Sequence, residues 1–331
     1  MVGLDPADPI EVSFGQKVGT EPTGNDPGVK LKIKPGPGHA DTVVNGISRI
    51  GFMTGGQKAR WVDEDIADTL AAKSVKFIEA NRDQPFFLFL NTHDIHEPMV
   101  PHARFRGTSD CGWRGDVIHQ LDSTIGEVLA TLDRLKLAEN TLVIFTSDNG
   151  GAIKDTYDDG TNHLHARQSP NGALRGAKGS LYEGGHRVPY LARWPGHVPA
   201  NSTSQQLMGH VDTLATFAAL TQQALPAAAA PDSCNVLPAL LGVAKEPVRD
   251  HLVLQGNGQN PLALREGAWM LIEKNGPGPK GKKGEQGNSC ELYDLANDPA
   301  EKQDRASSES DKVEKMKARL AQIRSAGRSR P

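Results

Sequence analysis

Cysteine is the scarcest informative residue in this chain. Only Cys111, Cys234 and Cys290 occur among 331 residues. They are far apart and odd in number, which argues against a disulfide framework or a zinc cluster. No stretch approaches the roughly 20 consecutive apolar residues that a membrane-spanning helix needs, so no membrane partner is expected. There is no excess of positive charge either. The net charge is -3, which disfavours nucleic acid as a main partner. Met1 to Pro9 show no basic head followed by an apolar run, the pattern of an export signal, and no internal repeat is found. What remains is 37% hydrophobic and 23% charged, a globular composition long enough for one large or two modest domains.

Residues 1–60 are rich in glycine and proline and weakly periodic. They predict loops around short strands, a poor opening for a compact domain, and so the expectation that a preceding segment is missing. From Asp63 the pattern sharpens. Asp63 is placed to cap a helix, with Glu64 and Asp65 at the positive end of its dipole, and Ile66, Leu70, Ala71, Val75 and Ile78 form its apolar face. Phe86-Phe-Leu-Phe-Leu90 predicts a strand buried on both faces. Val117, Ile118, Leu121, Ile125, Val128, Leu129, Leu132 and Leu135 hold helical spacing. Thr141-Leu-Val-Ile-Phe-Thr146 predicts a second buried strand.

Strand, helix, strand is the crossover unit of an α/β sheet. The expected fold class is therefore α/β, a mixed and largely parallel sheet flanked by helices. A further strand is expected over 188–194 and a helix over 211–220. Beyond about residue 245 the character changes, dividing the chain into a domain over 1–245, with 1–60 as its loop-rich lead, and a small α+β subdomain over 246–331. In the latter, short strands over 252–254, 268–272 and 291–295 predict an antiparallel sheet. Residues 274–288 predict a flexible Gly/Lys-rich hairpin loop, and 310–324 a charged helix.

Ligands of open α/β sheets gather beyond the carboxyl ends of the strands. Two polar clusters follow strands here: Asn91-Thr-His-Asp-Ile-His-Glu-Pro98 and Ser147-Asp-Asn-Gly-Gly151. The second could simply be a tight turn. Alternatively, the Asp148 carboxylate and Asn149 amide oxygen are ligands suited to calcium or magnesium. Two oxygens leave most of a shell of roughly 6 to 8 ligands to come from elsewhere. His93 and His96 could be ordinary solvated loop histidines, or acid/base groups, since imidazole titrates near neutrality. Metal binding by the pair is the weaker option. In Leu174-Arg-Gly-Ala-Lys-Gly-Ser-Leu-Tyr-Glu-Gly-Gly185, ordinary surface charges compete with a sharper reading. Glycines beside Lys178 would let the backbone approach an anion, to which the ammonium supplies a point charge.

In this order the three clusters, with Val188-Pro, Arg193-Trp-Pro-Gly196, Ala263-Leu-Arg-Glu-Gly267 and Glu291-Leu-Tyr-Asp-Leu-Ala-Asn-Asp-Pro299 behind them, resemble the sulfatase family of the alkaline-phosphatase superfamily. The likeness runs from about Trp61 to the end, and residues 1–60 resemble, more loosely, an insert of a bacterial branch. The resemblance implies an alkaline-phosphatase-like fold, here incomplete, and hydrolysis of sulfate esters of small molecules or glycans. It implies a calcium site at Asp148 and Asn149, with magnesium as the alternative. Lys178 would hold a sulfate oxygen, and His96 would contact the ester and help protonate the leaving oxygen. A periplasmic or extracellular setting is implied for a full-length member.

Such enzymes convert a cysteine or serine within Cys/Ser-x-Pro/Ala-x-Arg to formylglycine. No cysteine or serine here stands in that context, and the paired aspartates that would complete the metal shell are not recognisable. The expectation is a carboxyl-terminal portion, inactive as it stands, with an apolar edge exposed near 86–90 or 141–146. The alternatives are a non-catalytic anion-binding relic, or a phosphate or phosphonate ester hydrolase of the same superfamily. His163 and His165 are candidates for substrate contact without an assigned role.

Overall fold

The structure is a computed structural model that describes residues 10–159, 169–257, 261–274 and 290–330. His163 and His165, and nearly all of the Gly/Lys-rich connection, lie outside the described residues. The contacts group the chain into two compact units, one running to Ala138 and joined by Ile153–Ser169, the other formed by Glu139–Ala152 and everything from Pro170. The change of character near residue 245 falls inside the second. No helix among the described residues is long and apolar enough to cross a membrane.

The first unit opens with the expected short strands. Glu11–Ser13 pairs antiparallel with Phe52–Thr54, and Val43–Val44 with Ile47–Ser48. Asn45 and Gly46 join the latter pair at φ 53° and 75°, the positive angles a tight two-residue hairpin requires. Ile33, Ile47, Val100 and Tyr157 form the core beneath, with Trp113 against it.

Helix Ile66–Ala80 packs on helix Gly112–Arg134. The first buries Ala67, Ala71, Ser74 and Ile78. Asp63 does not cap it. Its side chain is fully buried and bonded to Arg49 Nη2 at 2.6 and 2.7 Å. A neutral backbone amide offers a carboxylate less than a guanidinium does in a site closed to water, so the charge pair wins. The long helix buries Val117, Leu121 and Leu132 as expected, and a polar stripe besides: Asp116, Gln120, Thr124 and Thr131.

The run Phe86–Leu90 is not a strand. Phe87 and Phe89 are 68% and 75% exposed, their rings stacked 6.5 Å apart, while Phe86, Leu88 and Leu90 are half-buried. Apolarity alone does not make a strand. The backbone needs a neighbouring strand to pair with, and 86–90 belongs to no strand pair among the described residues. The apolar exposure there is that of the Phe87 and Phe89 side chains, not of the open sheet edge expected.

In the second unit Val143–Thr146 pairs antiparallel with Tyr190–Arg193. The carboxyl-terminal sheet has four antiparallel strands in the order Cys290–Asp294, Trp269–Glu273, Leu262–Glu266, His251–Gln255. The strand Leu262–Glu266 is not among those the spacing predicts, though the resemblance placed Ala263–Gly267 with this sheet. Its residues alternate between the faces as strand geometry demands. Leu264, Leu271 and Leu292 meet Val313, Met316 and Leu320 of helix Ser310–Ala326, while Ala263, Met270, Ile272 and Tyr293 face Leu181 and Leu295. The architecture is mixed α/β with a small carboxyl-terminal antiparallel sheet and helix; every strand pair among the described residues is antiparallel.

Candidate functional site

The expected site residues divide between the units. His96 belongs to the first; Asp148, Asn149 and Lys178 belong to the second.

The loop bearing His96 is anchored from the long helix. Gln120 Oε1 accepts from His102 N at 2.8 Å, and its amide nitrogen donates to Asp94 Oδ1 at 2.9 Å. Nothing in the pattern marked Gln120, a polar residue amid helical apolar spacing. On the same loop, Glu97 accepts from both the backbone N–H and the hydroxyl of Thr156. His96 is exposed, and its Nδ1 donates to Glu97 O at 2.7 Å. Since a carbonyl can only accept, neutral His96 carries its proton on Nδ1, and Nε2 is the basic nitrogen. His93 is more enclosed, and burial pushes its pKa down.

Asp94 is 4% exposed and lines a small cavity with Asp63, His93 and Gln120. Its Oδ2 has no hydrogen-bond partner among the described residues, and burial raises its pKa above 3.8. A carboxyl whose pKa is raised by folding stabilises the fold most below its unfolded value, and that contribution is lost as pH rises through the folded value. The variant Asp94→Asn should therefore match or exceed the parent in stability at pH 7, and its advantage should grow as pH rises above about 4. Urea midpoints at several pH values measure this. A less stable variant at pH 7 would mean that the carboxylate has a partner worth more than its desolvation.

In the second unit, strand Val143–Thr146 ends at the turn Ser147–Gly151. Asp148 is exposed and Asn149 half-buried. Asn149 Nδ2 donates to Gly150 O at 2.9 Å, which leaves its carbonyl oxygen as the atom a cation could take. The loop 174–185 is laced onto this turn. Lys178 N donates to Gly151 O at 3.2 Å and Gly150 N to Gly185 O at 3.0 Å. The approach is very close: a Cβ on Gly150 would lie 2.0 Å from Gly184 O. Asn171 ties both segments together. Its Oδ1 accepts from Gly151 N at 2.8 Å, and its Nδ2 donates to Gly151 O and Gly176 O, each at 3.0 Å. In sequence Asn171-Gly172 is indistinguishable from an ordinary turn, so this connector could not be identified there.

Asp148 also lines a wide groove with Arg187, Arg193, Trp194 and His210. The Thr146 hydroxyl donates to Pro189 O at 2.9 Å, so His210 Nε2, 3.0 Å away, is the donor to Thr146 Oγ1. No spacing in the sequence singled out His210.

Asp148 and Asn149 suit a hard cation in kind but not in number. Among the described residues no group of three or more His, Cys, Asp or Glu could hold a metal ion. The arrangement can present an ammonium group and hard oxygen donors from adjoining loops, a combination suited to a tetrahedral oxyanion.

Comparison with known proteins agrees with that chemistry. The family profile described as sulfatase matches residues 27–223. An N-acetylgalactosamine-6-O-sulfatase of Bacteroides thetaiotaomicron is 45% identical over 328 residues, 98% of this chain and 64% of that protein. The human N-acetylgalactosamine-6-sulfatase is 39% identical over 160 residues, 48% of this chain and 29% of its own. This chain thus spans less than two thirds of the length of either. A solved 6S-sulfatase from a Bacteroides thetaiotaomicron locus for glycosaminoglycan metabolism superposes with a TM-score of 0.89 at 45% identity, covering 98% of this chain and 68% of that one.

Proposed function

The chain belongs to the sulfatase family, and on that premise we propose that it serves sulfate ester hydrolysis on a glycan, with a 6-sulfated N-acetylgalactosamine unit as the substrate class. The observation carrying this reading is the hydrogen-bonded lacing of the Lys178 loop onto the Asp148–Gly151 turn. It brings a cationic side chain and the candidate cation ligands to adjoining segments of one unit. The names of the most similar relatives support the substrate class.

In this reading Lys178 holds a sulfuryl oxygen by charge. Asp148 and Asn149 contribute ligands for calcium, with magnesium as the alternative. Such a cation, when bound, neutralises charge on the sulfuryl oxygens. His96 in its doubly protonated form, with Nδ1–H held by Glu97 O, passes its Nε2 proton to the departing alcohol oxygen and is left neutral. The residues present do not fit formylglycine, because no Cys or Ser lies in the Cys/Ser-x-Pro/Ala-x-Arg context. That same absence favours a second reading for these 331 residues taken alone: binding of the sulfate group without turnover.

Calorimetric titration with calcium, sulfate and phosphate, together with assays on an aryl sulfate and an aryl phosphate, tests both readings. The chain should bind calcium and sulfate and release nothing from either ester. Lys178→Ala should weaken sulfate about tenfold or more, the worth of one charge-assisted hydrogen bond, and Asp148→Ala should weaken calcium. Sulfate binding unchanged in Lys178→Ala would remove Lys178 from the site. Measurable sulfate release would place a nucleophile elsewhere in the chain, and a preference for phosphate would move the reaction to phosphate esters.

A further inference from the structure

We propose that Glu301 is the positioning residue of the Lys178 loop, clamping both ends of residues 175–183 to the chain that follows the carboxyl-terminal sheet. The proposal deepens the reading of Lys178 as the sulfate-holding group and rests on it for its functional consequence.

The geometry is specific. Glu301 is fully buried, at 0% exposure. Its Oε2 accepts from Glu183 N at 2.8 Å, and its backbone carbonyl accepts from Arg175 Nη1 at 2.9 Å. One residue thus grips the loop at Arg175 and at Glu183, on either side of Lys178. The neck between those grips is closed by Gly184 N donating to Arg175 O at 2.7 Å. Arg175 is further fixed by the hydroxyls of Tyr293 and Tyr182, at 2.9 and 3.0 Å, with its guanidinium 3.8 Å from the Tyr182 ring centre. Leu181, inside the loop, packs against the sheet face formed by Ala263, Met270 and Tyr293. The loop is therefore seated on a rigid floor, and Glu301 is its latch.

The backbone adds a second observation. Glu301 sits at φ 52°, where glycine is favoured and a larger side chain is held at a conformational cost. Its Oε1 has no hydrogen-bond partner among the described residues, so Oε2 is the carboxyl oxygen that ties this side chain to the loop. Neighbouring charges surround it. Glu183 pairs with Arg187 at 3.0 Å and Arg265 at 3.4 Å, and Arg175 and Asp298 also act on Glu301. Burial, with repulsion from Glu183, raises its pKa from 4.5 to about 7. The stability that Glu301 contributes is thus full below 4.5 and is lost as pH climbs to about 7.

Glu301→Gly relieves the backbone and keeps the carbonyl acceptor while removing the carboxylate with its two methylenes. Glu301→Gln keeps an acceptor for Glu183 N. Amide hydrogen exchange and sulfate titration on both variants test the clamp. In Glu301→Gly, exchange across residues 175–185 should accelerate while strands Leu262–Glu266 and Trp269–Glu273 keep their protection. Sulfate affinity should fall on the order of tenfold. Glu301→Gln should restore both, and should flatten the loss of stability between pH 4.5 and 7. Unchanged loop exchange in Glu301→Gly, equal loss of protection throughout the sheet, or no rescue by glutamine would each overturn the clamp. A parent chain that binds no sulfate would sink the reading of Lys178 instead, and loop exchange would still decide the role of Glu301. Should the glycine variant not fold, protection factors of the parent loop at pH 5 and pH 8, each corrected for the intrinsic rise of amide exchange with pH, decide: loss of protection confined to 175–185 is expected at the higher pH, and unchanged protection there overturns the proposal.

Discussion

Replacing Asp212 with alanine should destabilise the second unit by about 3–5 kcal/mol, because it strands a buried cation. Asp212 and Arg249 have side chains only 1% and 2% exposed, and Arg249 Nη1 lies 2.8 Å from both carboxylate oxygens. The same carboxylate also accepts from Gly209 N at 2.9 Å and Cys234 N at 2.8 Å. Its loss would leave Arg249 Nη1 and two backbone amides without their acceptor, and the guanidinium without its counter-charge, in a place water does not reach. Urea denaturation of the variant measures this. The exposed pair Arg82–Asp83, with side chains 58% and 89% exposed, sets the contrast. Asp83→Ala should change stability by less than about 0.5 kcal/mol, since water already solvates both partners. If the two variants lose equal stability, burial is not what gives the Asp212 pair its importance.

Gly150→Ala should cost about 3 kcal/mol and strip the site of its ligands. The added methyl carbon would lie 2.0 Å from Gly184 O and 2.8 Å from its carbonyl carbon. These are backbone atoms, so no rotamer change relieves the overlap. The turn must draw away from residues 184 and 185, breaking the Gly150 N to Gly185 O bond and pulling on the Lys178 N to Gly151 O bond. Calcium and sulfate affinities should both fall at least about tenfold, a displacement of 1.4 kcal/mol or more in each. Calorimetric titration reads them. A variant that binds both ligands as the parent does would show that the lacing of these loops is not what forms the site.

The legible parts of the fold were those with local periodicity. Helices Ile66–Ala80, Gly112–Arg134 and Ser310–Ala326, and most of the carboxyl-terminal strands, lie close to where side-chain spacing put them. Spacing reports which face of an element is apolar, and that is a local property. Spacing alone did not mark strand Leu262–Glu266, because two of its five residues are charged; pairing on both sides, through Leu264 with Val253 and Leu271, makes it a strand. Phe86–Leu90 failed in the opposite sense, apolar throughout yet without a ladder. Asp63 looked like a helix cap until Arg49, distant in sequence, claimed its carboxylate.

By itself the sequence determined the family, through three short clusters in order, and with it the chemical types on offer: the Asp148 and Asn149 oxygens, the Lys178 ammonium, the His96 imidazole. Side-chain chemistry is carried by residue identity, so it survives in a string of letters. Only the tertiary structure decided which backbone atoms hold those groups. Asn171, Gly150 and Glu301 act on the Lys178 loop through hydrogen bonds and close contacts with segments up to 126 residues away. A hydrogen bond or a van der Waals overlap depends on distance in space to a few tenths of an ångström, and nothing in the order of residues along the chain encodes that distance directly.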